Sequence, residues 1–157
     1  MDAKPLLTDI AKALNDVKLE AVMIGNAAAA LQGAPVTTLD IDFMFRETPK
    51  NMKKLKSFAD ELQCIILRPY YPVSSLYRVA NDDRGIQIDF MTAIHGIKSF
   101  ESLRSDSAQV DFEGYKLQVA DLEKIIMSKK ALGREKDRAV IETLEKTLHE
   151  KENQPGK

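Results

Sequence analysis

Two short stretches of this chain place aspartates where the surrounding residues are building a core. Leu39-Asp40-Ile41-Asp42-Phe43-Met44-Phe45 and Ile86-Gln87-Ile88-Asp89-Phe90-Met91 read as buried strands interrupted by carboxylates. Side chains alternate faces along a strand, so Asp40 and Asp42 point one way while Leu39, Ile41 and Phe43 point the other. A carboxylate in apolar company costs free energy unless a cation or a hydrogen-bond donor compensates it. If the two strands are neighbours, three carboxylates converge on one sheet face, and their repulsion raises their pKa values until a cation arrives. An all-oxygen cluster suits a hard divalent ion, Mg²⁺ or Mn²⁺, rather than zinc. Zinc is also short of ligands, because the chain holds one cysteine, Cys64, and two histidines, His95 and His149. The single cysteine excludes an intramolecular disulfide as well.

A chain of 157 residues, 44% of them hydrophobic and 30% charged, is long enough to bury a core as a single domain. Its 23 Lys and Arg residues against 24 Asp and Glu residues give a net charge of -1. Bulk electrostatics therefore offers no argument for a nucleic-acid or membrane surface. No apolar run approaches the roughly 18–20 residues of a membrane span. The opening stretch MDAKPLLTDIAKALNDVKLE mixes charge with apolar residues, unlike a signal-peptide core. The expectation is a cytoplasmic protein with no membrane partner.

Periodicity predicts the elements. Leu6, Leu7, Ile10, Leu14 and Val17 mark an amphipathic opening helix. Ala21 to Ile24 reads as a buried strand turned by Gly25-Asn26, with Asn26 capping a helix over 27–31 that stops near Gly33. A strand over 39–45 follows, then a helix over 49–63 with Pro49 in its first turn. Cys64 to Leu67 reads as a strand, and 74–80 with 86–91 as a hairpin around 81–85. A second hairpin spans 109–119, and helices run from Ala120 to about Leu148 with a break near Gly133. The predicted class is α+β: a mixed central sheet flanked by helices, with a C-terminal helical segment. The expected division is a core over about 20–119, helices over 120–149 and a frayed tail over 150–157, all within one domain.

Gly25-Asn26 adds a second component. A strand turning through glycine into a helix presents backbone N–H groups that suit a phosphate. The chain has no G-x-x-x-x-G-K-[ST] and no G-x-G-x-x-G, so P-loop and dinucleotide-fold readings lose their main support. An EF-hand begun at Asp40 would have Phe45 where glycine is required.

The order Ile24-Gly25-Asn26, Asp40-Ile41-Asp42 and Asp89 resembles the nucleotidyltransferase superfamily with the DNA polymerase β-like fold. Thr38 to Asp42, the segment 27–33, Asp121-Leu122 and Lys129 to Asp137 look like its small prokaryotic branch around AbiEii-type toxins and related uncharacterised proteins. The resemblance implies the nucleotidyltransferase fold and transfer of a nucleoside monophosphate from an NTP, such as ATP, to a hydroxyl by a two-metal mechanism. Asp40, Asp42 and Asp89 would be the catalytic, metal-holding carboxylates for Mg²⁺ or Mn²⁺. Gly25, Asn26, Thr38 and Lys129 would meet the nucleotide. Arg134 and Asp137 match the branch in type. The implied acceptor is a tRNA, a protein or a small molecule, and a homo-oligomer or an antitoxin-like partner is compatible with the branch. Asn26 replaces the usual Gly or Ser, and Val36 replaces an Arg of many relatives. Those departures favour an alternative: a catalytically degenerate nucleotide- or partner-binding module on the same fold, in a toxin–antitoxin-like setting. A nucleotide-sugar glycosyltransferase using Asp-x-Asp is disfavoured by length and by Gly25-Asn26. Arg68, Arg78, Tyr70 and Tyr71 read as cover for a sheet edge ahead of a stack on a base or acceptor, His95 as structural ahead of a place near the site, and Met91 and Met127 as core filler.

Overall fold

A computed structural model of the chain describes residues 4–36, 40–68 and 76–153. The described elements run α1 (Lys4–Val17), β1 (Val22–Ile24), α2 (Gly25–Leu31), β2 (Ile41–Met44), α3 (Pro49–Glu61), β3 (Ile65–Leu67), β4 (Leu76–Asn81), β5 (Ile86–Met91), α4 (Phe100–Ser105), β6 (Ala108–Phe112), β7 (Tyr115–Val119), α5 (Leu122–Leu132) and α6 (Glu135–Glu152). The strands form a seven-stranded sheet in the order β3-β4-β5-β2-β1-β7-β6. It is mixed: β2 pairs parallel with β5 and β1 parallel with β7, while the remaining neighbours are antiparallel. The α+β class read from the sequence is the observed one.

The apolar face of the central strands carries an aromatic cluster. Phe90 of β5 stacks on Phe43 of β2 with centroids 5.3 Å apart. It meets Phe45 edge-on at 5.7 Å and Phe58 of α3 at 5.3 Å. All four rings are fully buried. Helix α3 therefore covers the face opposite to Asp89, since Asp89 and Phe90 are adjacent in β5 and point opposite ways. Helices α1 and α3 pack together, and α2, α5 and α6 pack as another group.

Local chemistry explains the helix ends. Thr48 Oγ1 accepts from the Asn51 N–H at 3.1 Å, with Pro49 in the first turn of α3. Asp121 Oδ1 accepts from the Lys124 N–H at 2.8 Å to start α5, and Gly133 at φ 64° stops it. The expected turn over 81–85 is a 3-10 turn over Asp82–Arg84, in which Asn81 Oδ1 accepts from the Arg84 N–H at 3.1 Å.

Several expectations need correction. Asn26 does not cap α2: the helix begins at Gly25, Ile24 holds the cap position, and no side-chain cap bond forms. Strand β1 turns into the helix at once, so the extended cap position falls on Ile24, whose side chain has no acceptor. The strand around Asp42 is shorter than predicted, beginning at Ile41, and Leu39 lies outside the described residues. Helix α4 was not predicted. Its only buried residues are Phe100 and Leu103, too few for a periodic signal. Helix α6 runs on to Glu152 instead of fraying from 150. Met127 is 47% exposed because α5 buries Leu122, Ile125, Ile126 and Lys129, a stripe that Met127 misses. No described helix is long and apolar enough to cross a membrane.

The aromatic cluster yields a prediction. Phe90→Ala removes the ring shared by three others and should lower stability by about 3–5 kcal/mol in urea denaturation. A loss below about 1 kcal/mol would mean that the sheet does not depend on this contact.

Candidate functional site

The site is a row of side chains crossing four strands. Parallel pairing of β2 with β5 sets Asp42 beside Asp89. Antiparallel pairing of β4 with β5 sets Arg78 on the other side of Asp89, and β1 brings Ile24 opposite Asp42. The order across the sheet is therefore Arg78, Asp89, Asp42, Ile24. Gly25 follows Ile24 at φ 71°, a left-handed conformation that side chains rarely adopt. A Cβ built there would stand 3.4 Å from Asp42 Oδ2, in van der Waals contact, so it is the left-handed turn beside the carboxylate that calls for glycine.

The carboxylates differ in environment. Asp89 is 8% exposed, and Arg78 grips both of its oxygens: Nε donates to Oδ1 at 2.9 Å and Nη2 to Oδ2 at 3.2 Å. This corrects the expectation that Arg78 covers a sheet edge. Asp42 has no such clamp. Burial pushes its pKa up to about 6, with Asp89 and then Asp40 adding repulsion, against smaller opposing effects of Lys129 and Arg78. Asp40 lies just before β2 and is exposed.

The wall facing this row comes from α5 and α6. Asp137 is 1% exposed. It accepts from Arg134 Nε at 2.6 Å and Nη2 at 3.0 Å, and Lys129 Nζ stands 3.8 Å from its Oδ1. Lys129 and Asp137 are thus buried, while the Arg134 side chain that clamps Asp137 stays 48% exposed. Burial, with the neighbouring cations Arg134 and Lys136, lowers the Lys129 pKa, which Asp137 partly restores. The Arg134 guanidinium holds Asp137 below the usual carboxylate range. Between row and wall lies a cavity of about 990 Å³ lined by Gly25, Asp42, Asp89, Lys129 and Asp137 among others, with Ile94 and Ile97 on an aliphatic side. That volume is at the upper end of ordinary ligand sites, roughly 300–1,000 Å³. The loop bearing Ile94 and Ile97 is seated on α5 through Gly96, where a Cβ would come within 2.9 Å of Met127 O and Ala131 Cβ. His95 beside it is exposed.

Of the residues singled out in the sequence, Gly25, Asn26, Asp40, Asp42, Asp89 and Lys129 line this one cavity. Thr38, Tyr70 and Tyr71 lie outside the described residues. Asn26 Oδ1 is buried without a hydrogen-bond partner. Among the described residues, no group of three His, Cys, Asp or Glu side chains is arranged to hold a metal ion, and Asp89 is turned to Arg78. The donor chemistry at Asp40 and Asp42 nonetheless suits a hard cation: the ligands are oxygen, and the strained ionisation of Asp42 marks uncompensated negative charge.

The chain matches, over residues 3–154, the family described as "Nucleotidyl transferase of unknown function (DUF2204)". It belongs to that family. Among solved structures, it is similar to the Thermotoga maritima protein TM1012, assigned as a nucleotidyltransferase: 25% identity, TM-score 0.63, covering 93% of this chain and 92% of that one. It shares its fold with the antibiotic-resistance factor ANT(2'')-Ia, at 14% identity and TM-score 0.67, covering 94% of this chain and 86% of that one. The lincosamide antibiotic adenylyltransferase LnuA, solved with lincomycin bound, is a further fold relative at 12% identity and TM-score 0.63, covering 92% of this chain and 96% of that one. No protein of curated function matches. The nucleotidyltransferase fold is therefore the observed one.

The raised pKa of Asp42 carries a signed prediction. Its carboxyl binds a proton more tightly folded than unfolded, so ionisation costs stability. That cost is absent below the unfolded value of 3.8, grows as pH rises toward 6, and is full above it. Asp42→Asn should therefore stabilise the metal-free chain by about 1–3 kcal/mol at pH 8, with the gain vanishing near pH 4. Thermal melts across pH in EDTA measure this. A variant less stable than wild type at pH 8 would make Asp42 a structural partner.

Proposed function

We propose that the chain transfers a nucleoside monophosphate from an NTP to a hydroxyl acceptor in a divalent-metal-dependent reaction. The observation that carries this reading is the placement of Asp42 beside Asp89 on adjacent strands, facing a cavity that Lys129 closes from the other side. Asp40 and Asp42 would hold Mg²⁺ or Mn²⁺, with Asp89 adjoining. Bound there, the ion would supply charge neutralisation at the α-phosphate and orient the displaced pyrophosphate. Asp89 would take the proton of the attacking hydroxyl. Lys129, held near Asp137, would pair with triphosphate oxygens. The Gly25 turn would let the phosphates approach the backbone, and the unpartnered buried oxygen of Asn26 would accept a hydrogen bond from a bound ligand or water. Thr38 completes the proposed nucleotide contacts.

The acceptor is a tRNA, a protein or a small molecule. The shared fold with a lincosamide adenylyltransferase supports a small hydroxyl compound as the first class to test. A second reading rests on the Arg78–Asp89 clamp: a chain that binds nucleotide or a partner without transferring anything, its third carboxylate neutralised internally. Asn26 and Val36 lean the same way.

Calorimetric titration of ATP, GTP, CTP and UTP, with Mg²⁺ or Mn²⁺ and then with EDTA, tests the site. Binding of at least one NTP should require metal and should drop more than tenfold in Asp40→Asn and Asp42→Asn. Transfer of label from α-labelled NTP to an acceptor then separates enzyme from module. No binding of any NTP under these conditions would sink the transfer reading.

A further inference from the structure

Among the described residues, Arg78 is the cation hydrogen-bonded to the carboxylate row itself. Of the other cations lining the cavity, Lys129 and Arg134 sit on Asp137, Lys124 is 3.5 Å from Asp106, and Lys136 is exposed on α6. A guanidinium remains charged at any physiological pH, so its hold on Asp89 is released only by movement. Movement has room: the Arg78 side chain is 29% exposed, whereas that of Asp89 is 11% exposed. Carboxylate and phosphate are interchangeable partners for the two-pronged guanidinium donor, since both offer a pair of oxygens at matching spacing.

We propose that Arg78 is an exchange cation: it neutralises Asp89 in the ligand-free chain and passes to a phosphate of the bound nucleotide when a divalent ion takes its place at the carboxylates. This deepens the transfer reading above and rests on it. The geometry sets an order of binding preferences. A divalent ion arriving alone must compete with a bidentate guanidinium that gains no new partner in return. A divalent ion arriving with a nucleotide offers that guanidinium phosphate oxygens. Metal and nucleotide therefore assist each other through Arg78, and the assistance is reciprocal. The clamp that supports the non-transferring reading becomes, in this account, the resting state of the site.

The test measures Mn²⁺ binding by electron paramagnetic resonance and nucleotide binding by calorimetry, using the non-hydrolysable α,β-methylene analogue of ATP. Neither readout depends on turnover. In wild type, Mn²⁺ alone should bind weakly, and the analogue should tighten it at least tenfold. Arg78→Met should bind Mn²⁺ alone at least tenfold more tightly than wild type, bind the analogue more weakly, and lose most of the mutual tightening. Arg78→Lys keeps the charge without the two-pronged geometry. It should fall between the two, and it preserves the test should the methionine variant fold poorly. Mn²⁺ affinity unchanged or weakened in both variants, beside intact Asp42-dependent nucleotide binding in wild type, would make Arg78 a plain structural strut and overturn this inference alone. Absence of Asp42-dependent nucleotide binding in wild type and in both variants would overturn the transfer reading, and this inference with it.

Discussion

Negative charge placed among the apolar residues of the central strands β2 and β5 is the constraint around which this structure is organised. Burial disfavours an ionised carboxylate, and two adjacent carboxylates disfavour each other. The protein meets this cost unevenly. Asp89 is neutralised by a bidentate guanidinium from the neighbouring strand. Asp42, one strand further along, is left with raised affinity for a proton. One carboxylate is satisfied internally while its neighbour keeps an unmet demand for positive charge. That asymmetry gives the row a chemical direction.

The remainder of the site follows from how the two sheet faces are used. One face is closed by an aromatic cluster centred on Phe90 and covered by α3. That rigid backing holds β2 and β5 in the register that sets Asp42 beside Asp89. The other face opens to a cavity walled by α5 and α6, whose own charges are gathered on buried Asp137. Two internally paired clusters thus face each other across a space of ligand size. Between them, buried Asp42 keeps a raised affinity for a proton. In the proposed reaction, a phosphate-bearing ligand accompanied by a divalent ion would bring both signs of charge to this space.

The fold relatives put this in proportion. LnuA, solved with lincomycin, and the resistance factor ANT(2'')-Ia share the architecture at low identity. A shared fold at this identity carries neither substrate nor site residues from one chain to another. What distinguishes this cavity's lining includes the loop seated by Gly96 against α5 and the aliphatic side chains of Ile94 and Ile97.

Much of this was legible in the primary structure because its causes are local. Alternation in 39–45 and 86–91 marked the strands and their embedded carboxylates, Pro49 and Gly133 marked helix ends, and the spacing of Gly25 from Asp42 and Asp89 carried the family resemblance. Even the Arg78–Asp89 contact was latent there, since a hairpin that pairs Asn81 with Ile86 must also pair Arg78 with Asp89. Helix α4 was not legible, having only Phe100 and Leu103 to bury. The missing cap at Asn26 was not legible either, because it depends on β1 turning into α2 without an intervening residue. Beyond such local pairs, the surroundings of each charge were decided by tertiary structure. Sequence places a carboxylate on a strand face, but strand order and the return of α5 and α6 determine which cation reaches it. Electrostatic compensation acts through space over a few ångströms, between residues such as Asp42 and Lys129 that are far apart along the chain.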